Sequence, residues 1–415
     1  MRLLILTYGT EGDTRPLVAL GHALHQRGHD IHLLGDARTL GTADELGLPN
    51  SPLSGDIRQL FADWRSEGPR GTAKALVQLS NANTHAWMAE TFAAADGRDA
   101  ILTSGLAGFI GLSVAERLGI PAIGAGMIPL TPSREFPSPF LPAGLVPRWL
   151  NHASLRLTNT LFWLAFRKSL NEARRTVLDL PPWRDLPTEH PMLYGISPTV
   201  LPQPADWPPH ARLCGQWQTP AADFTPSIEL ASFLRDGPPP IYIGFGSMVG
   251  IDWTKMIGPL GAALAGRRAL LNPGWSEIDQ LELPGNILRI GAIPHRWLFP
   301  QMSAVVHHGG SGTTHSAAHA GKPSVVVPFA GDQAFWAERL YRLGIAPPGM
   351  NAAKLDAQSL GRAFDFVERG EVRKRAAELG ERMGREDGLG TAADQVEELV
   401  PVARHRSIKQ SWGTQ

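Results

Sequence analysis

At 415 residues, 43% hydrophobic and 19% charged, the chain is long enough for two α/β domains and too apolar for a disordered or fibrous protein. Lys plus Arg and Asp plus Glu stand at 39 each, so no overall field draws it to nucleic acid or to an anionic membrane, and any phosphate recognition must be local. The lone cysteine, Cys214, excludes an internal disulfide and a cysteine metal cluster, and fits a reducing cytoplasm.

The first apolar run, Leu3 to Leu6, is too short for a signal peptide or a membrane span and reads as a buried strand. Gly9-Thr10-Glu11-Gly12-Asp13-Thr14-Arg15-Pro16 follows, leading into a helix through Leu24 with Pro16 suited to its opening turn. Asp13 there is either an N-terminal cap or a base at a strand edge, and Thr10 and Glu11 can orient it. Further strands are predicted at Asp30 to Leu34, Ala100 to Thr103 and Pro121 to Ala125. Large apolar residues follow one another at Trp87, Phe136, Phe140, Trp149, Phe162, Trp163 and Phe166, part of them ordinary core and part suited to a lipophilic ligand over a cleft. Pro198 to Pro240, rich in proline and aromatics, cannot sustain a central strand or a long helix and is the predicted domain connection.

In the second half, strands are predicted at Pro240 to Phe245, Arg268 to Leu271, Ile287 to Ile290, Ala304 to Val306 and Pro323 to Val327, with helical segments to about Val402 and a polar tail from Arg404. Strands alternating with helices in both halves predict two parallel, doubly wound sheets with ligands beyond their carboxyl ends. Gly244-Phe245-Gly246-Ser247 with Gly250 is not a dinucleotide fingerprint: the third glycine falls one residue late, and the next strand ends in Asn272 rather than an acid.

The richest stretch is His307-His308-Gly309-Gly310-Ser311-Gly312-Thr313-Thr314, a strand, a glycine loop and a helix start. Free N–H groups of the first helical turn, hydroxyls of Ser311, Thr313 and Thr314, and the His307 imidazole make a seat for phosphate. After the next strand, Asp332-Gln333 sets a carboxylate beside a carboxamide, a pair able to bond vicinal sugar hydroxyls. The spacing suggests one ligand, with its diphosphate at the loop and its sugar at Asp332 and Gln333. His315 and His319, four apart near His307 and His308, bring a metal to mind; no HExxH and no second cysteine support it.

Together with Asn272-Pro273-Gly274-Trp275-Ser276, Pro294-His295-Arg296-Trp297 and Thr131-Pro132-Ser133-Arg134-Glu135-Phe136-Pro137, these runs resemble glycosyltransferase family 1, in particular its sterol 3β-glucosyltransferase branch and bacterial natural-product glycosyltransferases. The resemblance covers most of residues 1–400 and implies the GT-B fold: two Rossmann-like doubly wound parallel-sheet domains facing across a cleft. It divides the chain into an acceptor-binding domain (1–215), a linker (216–239), a nucleotide-sugar-binding domain (240–390) and a C-terminal helix and tail (391–415) that packs back on the first domain.

By resemblance, Asp13 is the general base, a position held by His in many plant members and by Asp in the sterol and antibiotic branches. Ser247 joins His307, Gly309, Gly310, Ser311, Gly312, Thr313 and Thr314 at the diphosphate. The implied donor is a uridine diphosphate sugar, most simply glucose, held with no cofactor and no divalent metal and transferred with inversion. Two family features are absent: the Glu near His315 that holds ribose, and the Trp before Pro294 that stacks uracil. His295, backbone around Ile293 and Trp275 stand in for them. Thr10, Trp87, Phe136 and Phe140 are the expected acceptor contacts, for a sterol, polyphenol or macrolide. The implied partners are these small molecules, with no nucleic acid and no stable membrane insertion, in the cytoplasm. Two rivals keep the same architecture, a nucleotide-sugar epimerase and a catalytically silent binder.

Overall fold

Leu3 to Leu6 carry no polar side chain and lie in the middle of strand β1 (Arg2–Tyr8), buried on both faces as a central parallel strand requires. The computed structural model describes all residues except 58, 61–67, 143, 221–223, 247, 249–252, 275–281 and 401–415. Around β1 assemble β2 (Asp30–Asp36), β3 (Asn50–Leu53), β4 (Ala100–Gly105), β5 (Ala122–Gly126), β6 (Met192–Tyr194) and β7 (Ala211–Leu213). They form a parallel sheet in the order β3-β2-β1-β4-β5-β6-β7. A second parallel sheet contains β8 (Ile241–Gly244), β9 (Ala269–Asn272), β10 (Ile287–Arg289), β11 (Ala304–His307) and β12 (Ser324–Val326), in the order β10-β9-β8-β11-β12. Each sheet reverses its winding beside its first strand, between β1 and β4 and between β8 and β11. At those points the connections diverge to opposite faces and leave a crevice at the carboxyl ends of the strands. The Asp13 loop follows β1 and the His307 loop follows β11, so each predicted motif sits at a switch point.

Several elements depart from the sequence reading. The short strands β3, β6 and β7 carry too few residues to show an alternating pattern, and β7 occupies the sheet edge inside the proline-rich segment, where few ladder bonds are demanded. The predicted linker holds a helix, Ile228–Arg235, capped by Ser227, whose Leu230 packs with Tyr242 and Leu270 of the second domain. The final helical stretch is three helices, Ala357–Val367, Gly370–Met383 and Gly388–Leu399.

The helix Gly388–Leu399 lies in the core of the first domain, with Ala392, Ala393 and Val396 against Leu17, Leu20 and Leu24. Arg27 reaches Asp394 at 2.6 Å and His29 reaches Glu397 at 2.9 Å beside that contact. The backbone thus passes between the domains twice, near Gly215 and near Gly388. A side chain on either glycine would strike the other crossing: a Cβ on Gly215 would lie 2.8 Å from Gly388 Cα. Elsewhere the domains share a seam in which Phe136, Tyr194 and Trp207 pack with Phe335, Trp336 and Leu340.

Candidate active site

The helix after β1 begins earlier than Pro16 suggests. It spans Glu11–Gln26, with Thr10 as N-cap and Pro16 buried inside it. Asp13 is therefore the third helical residue and not the cap: its Oδ2 accepts the Thr10 backbone N–H at 2.8 Å and the Thr10 hydroxyl at 3.1 Å. This bond fixes one carboxylate oxygen, and Oδ1 has no partner among the described residues. Burial pushes the Asp13 carboxyl up, opposed by the two Thr10 donors. Thr10, one of the residues expected to touch acceptor, has both its donors turned to Asp13.

Gly9 makes this geometry possible, since a Cβ there would strike the Asp13 carboxylate. Gly9→Ala is expected to lower kcat by roughly 10²-fold through displacement of that carboxylate, with nucleotide affinity unchanged. Steady-state kinetics beside a calorimetric titration with uridine diphosphate check it, and a kcat within twofold of wild type would disprove the steric argument.

Across the cleft, β11 ends in His307, fully buried. Its Nδ1 accepts the Gly309 N–H at 3.1 Å, which puts the ring proton on Nε2, and Nε2 is buried without a partner. Helix Ser311–His319 starts immediately after it, and Thr314 is the first residue whose N–H turns inward, to Gly310 O at 3.0 Å. Helix geometry leaves the N–H groups of Ser311, Gly312 and Thr313 for an external acceptor. The Thr314 hydroxyl is also buried without a partner. Burial holds the imidazoles here neutral: His307 lies well below its ordinary range and His308 and His315 are pulled down to about 4. His295 is pulled down to about 3 by burial, with the Arg15 and His308 charges adding. Arg15 belongs to the first domain, so its influence on His295 marks how closely the two edges approach. His295 itself stacks on Phe299 at 4.1 Å, next to the half-buried Ile293.

Asp332 and Gln333 sit at the start of helix Gln333–Arg342. Asp332 Oδ2 accepts the Trp336 indole N–H at 2.6 Å. Burial pushes the Asp332 carboxyl up to about 6, with the Asp13 charge adding and the Trp336 N–H opposing. The two carboxylates, one from each domain, are therefore near enough for the charge of one to act on the other. Gln333 Oε1 accepts the N–H groups of Phe329 (2.6 Å) and Ala330 (3.0 Å), and Nε2 points to Met248 Sδ at 3.4 Å. Its amide shapes the loop in this structure.

Two acceptor candidates require correction. Trp87 is fully buried, stacks near Tyr8 at 4.2 Å and donates its indole N–H to Ser54 O, so it is core. Phe136 is buried against Phe335 at 5.5 Å in the interdomain seam. Composition alone does not separate an apolar wall from an apolar core. Phe140, 36% exposed and edge-on to Phe162, remains at the surface. Ser247 and Trp275 lie outside the described residues. Among the described residues no cluster of three His, Cys, Asp or Glu could hold a metal ion. No described helix is long and apolar enough to cross a membrane. Sequence reasoning missed Trp336, whose signal was the i,i+4 spacing from Asp332, and which also packs edge-on against His315 at 5.0 Å.

Two parallel sheets with a carboxylate at one switch point and a helix start with free N–H groups at the other fit a GT-B glycosyltransferase scaffold. A family model described as the erythromycin biosynthesis protein CIII-like C-terminal domain matches residues 273–399. The sterol 3-beta-glucosyltransferase UGT80B1 of Arabidopsis thaliana is 32% identical over 97% of this chain and 68% of its own length. The sterol 3-beta-glucosyltransferase of Debaryomyces hansenii is 31% identical over 96% of this chain, which spans only 27% of that protein. Among solved structures, the glycosyltransferase of kitacinnamycin aligns over 96% of this chain and 99% of its own with a TM-score of 0.70 at 18% identity. SnogD of Streptomyces nogalater aligns over the same shares with a TM-score of 0.62 at 21% identity. The chain belongs to glycosyltransferase family 1.

Proposed function

We propose that the protein transfers glucose from uridine diphosphate glucose to a hydroxyl of a lipophilic acceptor, a sterol first among the candidates, with inversion at the anomeric carbon. The observation that carries this reading is the half-buried Asp13 carboxylate, anchored through one oxygen by Thr10 and near enough to Asp332 of the other domain for their charges to interact. The acceptor oxygen attacks the anomeric carbon as its proton passes to Asp13 Oδ1. The bond from that carbon to the phosphate oxygen breaks, and the diphosphate leaves with the electron pair. The His307 Nε2–H and the free N–H groups of Ser311, Gly312 and Thr313 receive the developing charge. Desolvation strengthens Asp13 as a base, and attack from the face opposite the leaving group converts an α-linked donor to a β-glycoside.

The sterol preference is supported by the names of the plant and fungal relatives and by the apolar character of the loop around Phe140. With the His307 Nε2–H and the free N–H groups of the helix start taking the diphosphate charge, the proposed reaction needs no divalent ion, and chelation with EDTA is expected to leave the rate unchanged. A cytoplasmic setting suits the single thiol of Cys214, which burial pushes up to about 12 and leaves unreactive.

Incubation with uridine diphosphate glucose and, separately, a sterol, a flavonoid and a macrolide tests the reading, with products read by mass and anomeric configuration by NMR. A β-hexoside on the sterol is expected. Conversion of the sugar nucleotide without acceptor would establish the epimerase instead, and donor binding with no product on any acceptor would establish a silent binder.

Asp332 adds a pH signature. An acid with a raised value is protonated as pH falls through it, here about 6, and then loses an acceptor for the sugar hydroxyls. Affinity for uridine diphosphate glucose is expected to weaken below that pH while uridine diphosphate affinity holds. In Asp13→Asn the midpoint moves to lower pH, because the neighbouring negative charge is gone. Calorimetric titrations across pH 5 to 8 read both, and an unmoved midpoint would uncouple the two carboxylates.

A further inference from the structure

Eight large apolar side chains are exposed among the described residues, and six of them fall between Phe140 and Leu164. Leu157, Leu161 and Leu164 follow an i, i+4, i+7 spacing on helix Asn151–Val177, which places them in one stripe, each about half exposed. The opposite face of that helix is the one that packs inward, through Leu155, Trp163 and Leu170. The stripe is therefore not core. Just before it stand Leu145, 64% exposed, and Trp149, 81% exposed.

The charges along this segment of the chain have one sign. Arg148, Arg156, Arg167 and Lys168 are all exposed, and no Asp or Glu occurs between Glu135 and Glu172. None of the four forms an ion pair among the described residues. In a chain of zero net charge this is a local concentration of cations beside exposed leucines and a tryptophan. A second copy of the chain is a poor occupant, since a two-fold contact would set these cations against themselves. An anionic bilayer satisfies both features: leucines and tryptophan enter the headgroup boundary and cations meet lipid phosphates.

We propose that the outer face of helix Asn151–Val177, with Leu145 and Trp149 before it, docks the first domain on an anionic membrane surface. The location fits the acceptor side of the cleft. The segment leaves the carboxyl end of β5, at the sheet edge that also carries Asp13, and Asn159 Nδ2 ties the helix to Leu130 O at 3.1 Å. A lipophilic acceptor can then pass from bilayer to cleft without crossing bulk water, a corollary that rests on the proposed acceptor class; the docking itself does not.

Co-sedimentation with vesicles of phosphatidylcholine alone, or mixed with phosphatidylglycerol, tests the surface directly and needs no turnover. The full chain is expected to pellet with the mixed vesicles at low salt and to be released as salt is raised. The pair Trp149→Ser with Leu161→Glu, and separately Arg167→Glu with Lys168→Glu, should each weaken partitioning by about tenfold or more. Retained affinity for uridine diphosphate glucose shows that each variant is folded. A wild-type chain that stays in the supernatant with both vesicle types overturns the proposal, as does binding that survives in both double variants. A change in oligomeric state on size exclusion with no change in vesicle binding would assign the face to self-association and also overturn it.

Discussion

Asp13→Asn is expected to lower kcat by about 10²–10⁴-fold, the range a positioned general base contributes, while leaving the affinity for uridine diphosphate unchanged. The amide keeps the size of the carboxylate and can still accept from Thr10, so the loop after β1 holds its shape. What is lost is the lone pair that takes the acceptor proton. In the proposed arrangement the nucleotide lies on the other domain, at the loop after β11, away from this substitution. Burial raises the Asp13 value, so wild-type rate should decline as pH falls through that raised value, whereas the residual rate of the Asn variant should lack that limb. Single-turnover rates with saturating donor, measured across pH, decide the matter. A variant that retains full turnover would remove Asp13 from the chemistry and leave it only the partner of Thr10 at the helix start.

The largest expected effect on stability lies far from the cleft. Arg174, with no exposure at all, sends two guanidinium nitrogens to the two Glu116 oxygens at 3.0 Å each and also donates to Pro181 O, with Trp183 lying 4.0 Å beneath its plane. Glu116→Ala removes the counter-charge and strands a buried cation with one carbonyl for company. A loss of about 3 kcal/mol is expected, at the low end for a broken buried pair because the Glu116 side chain is 42% exposed. Arg174→Met should cost less, since the remaining carboxylate can turn to water. Urea unfolding midpoints of the two variants check the order, and a milder Glu116→Ala would show that packing of the guanidinium on Trp183, and not charge pairing, dominates.

These two sites differ in how far they could be read from sequence. Strands such as β1, β4, β8 and β11 were legible because central parallel strands are continuous apolar runs, and the glycine loop after β11 because phosphate seats need small residues before a helix. Trp87 and Phe136 were not separable from the acceptor wall, because burial depends on what the far parts of the chain bring. Trp87 meets Tyr8 and Ser54, and Phe136 meets Phe335, all distant in sequence. The helix start at Glu11 was misread because Pro16 is a stronger local signal than the Thr10–Asp13 capping pair, yet a buried proline one and a half turns in is tolerated. The coupling of Asp13 to Asp332 leaves no trace in either motif; it exists only once two domains meet.

The touching backbones at Gly215 and Gly388 give the molecule a mechanical property. Both covalent connections between the halves run through one spot, so the halves share a single pivot and not two separated tethers. Torsion there would act on a lever whose far end is the gap between the two sheet edges: a small angular change near Gly215 would become a translation of the Asp332 edge relative to Asp13, with both sheets intact. A bulky residue at either glycine would wedge the crossings apart and reset the resting angle, altering turnover without touching a single group that meets the sugar.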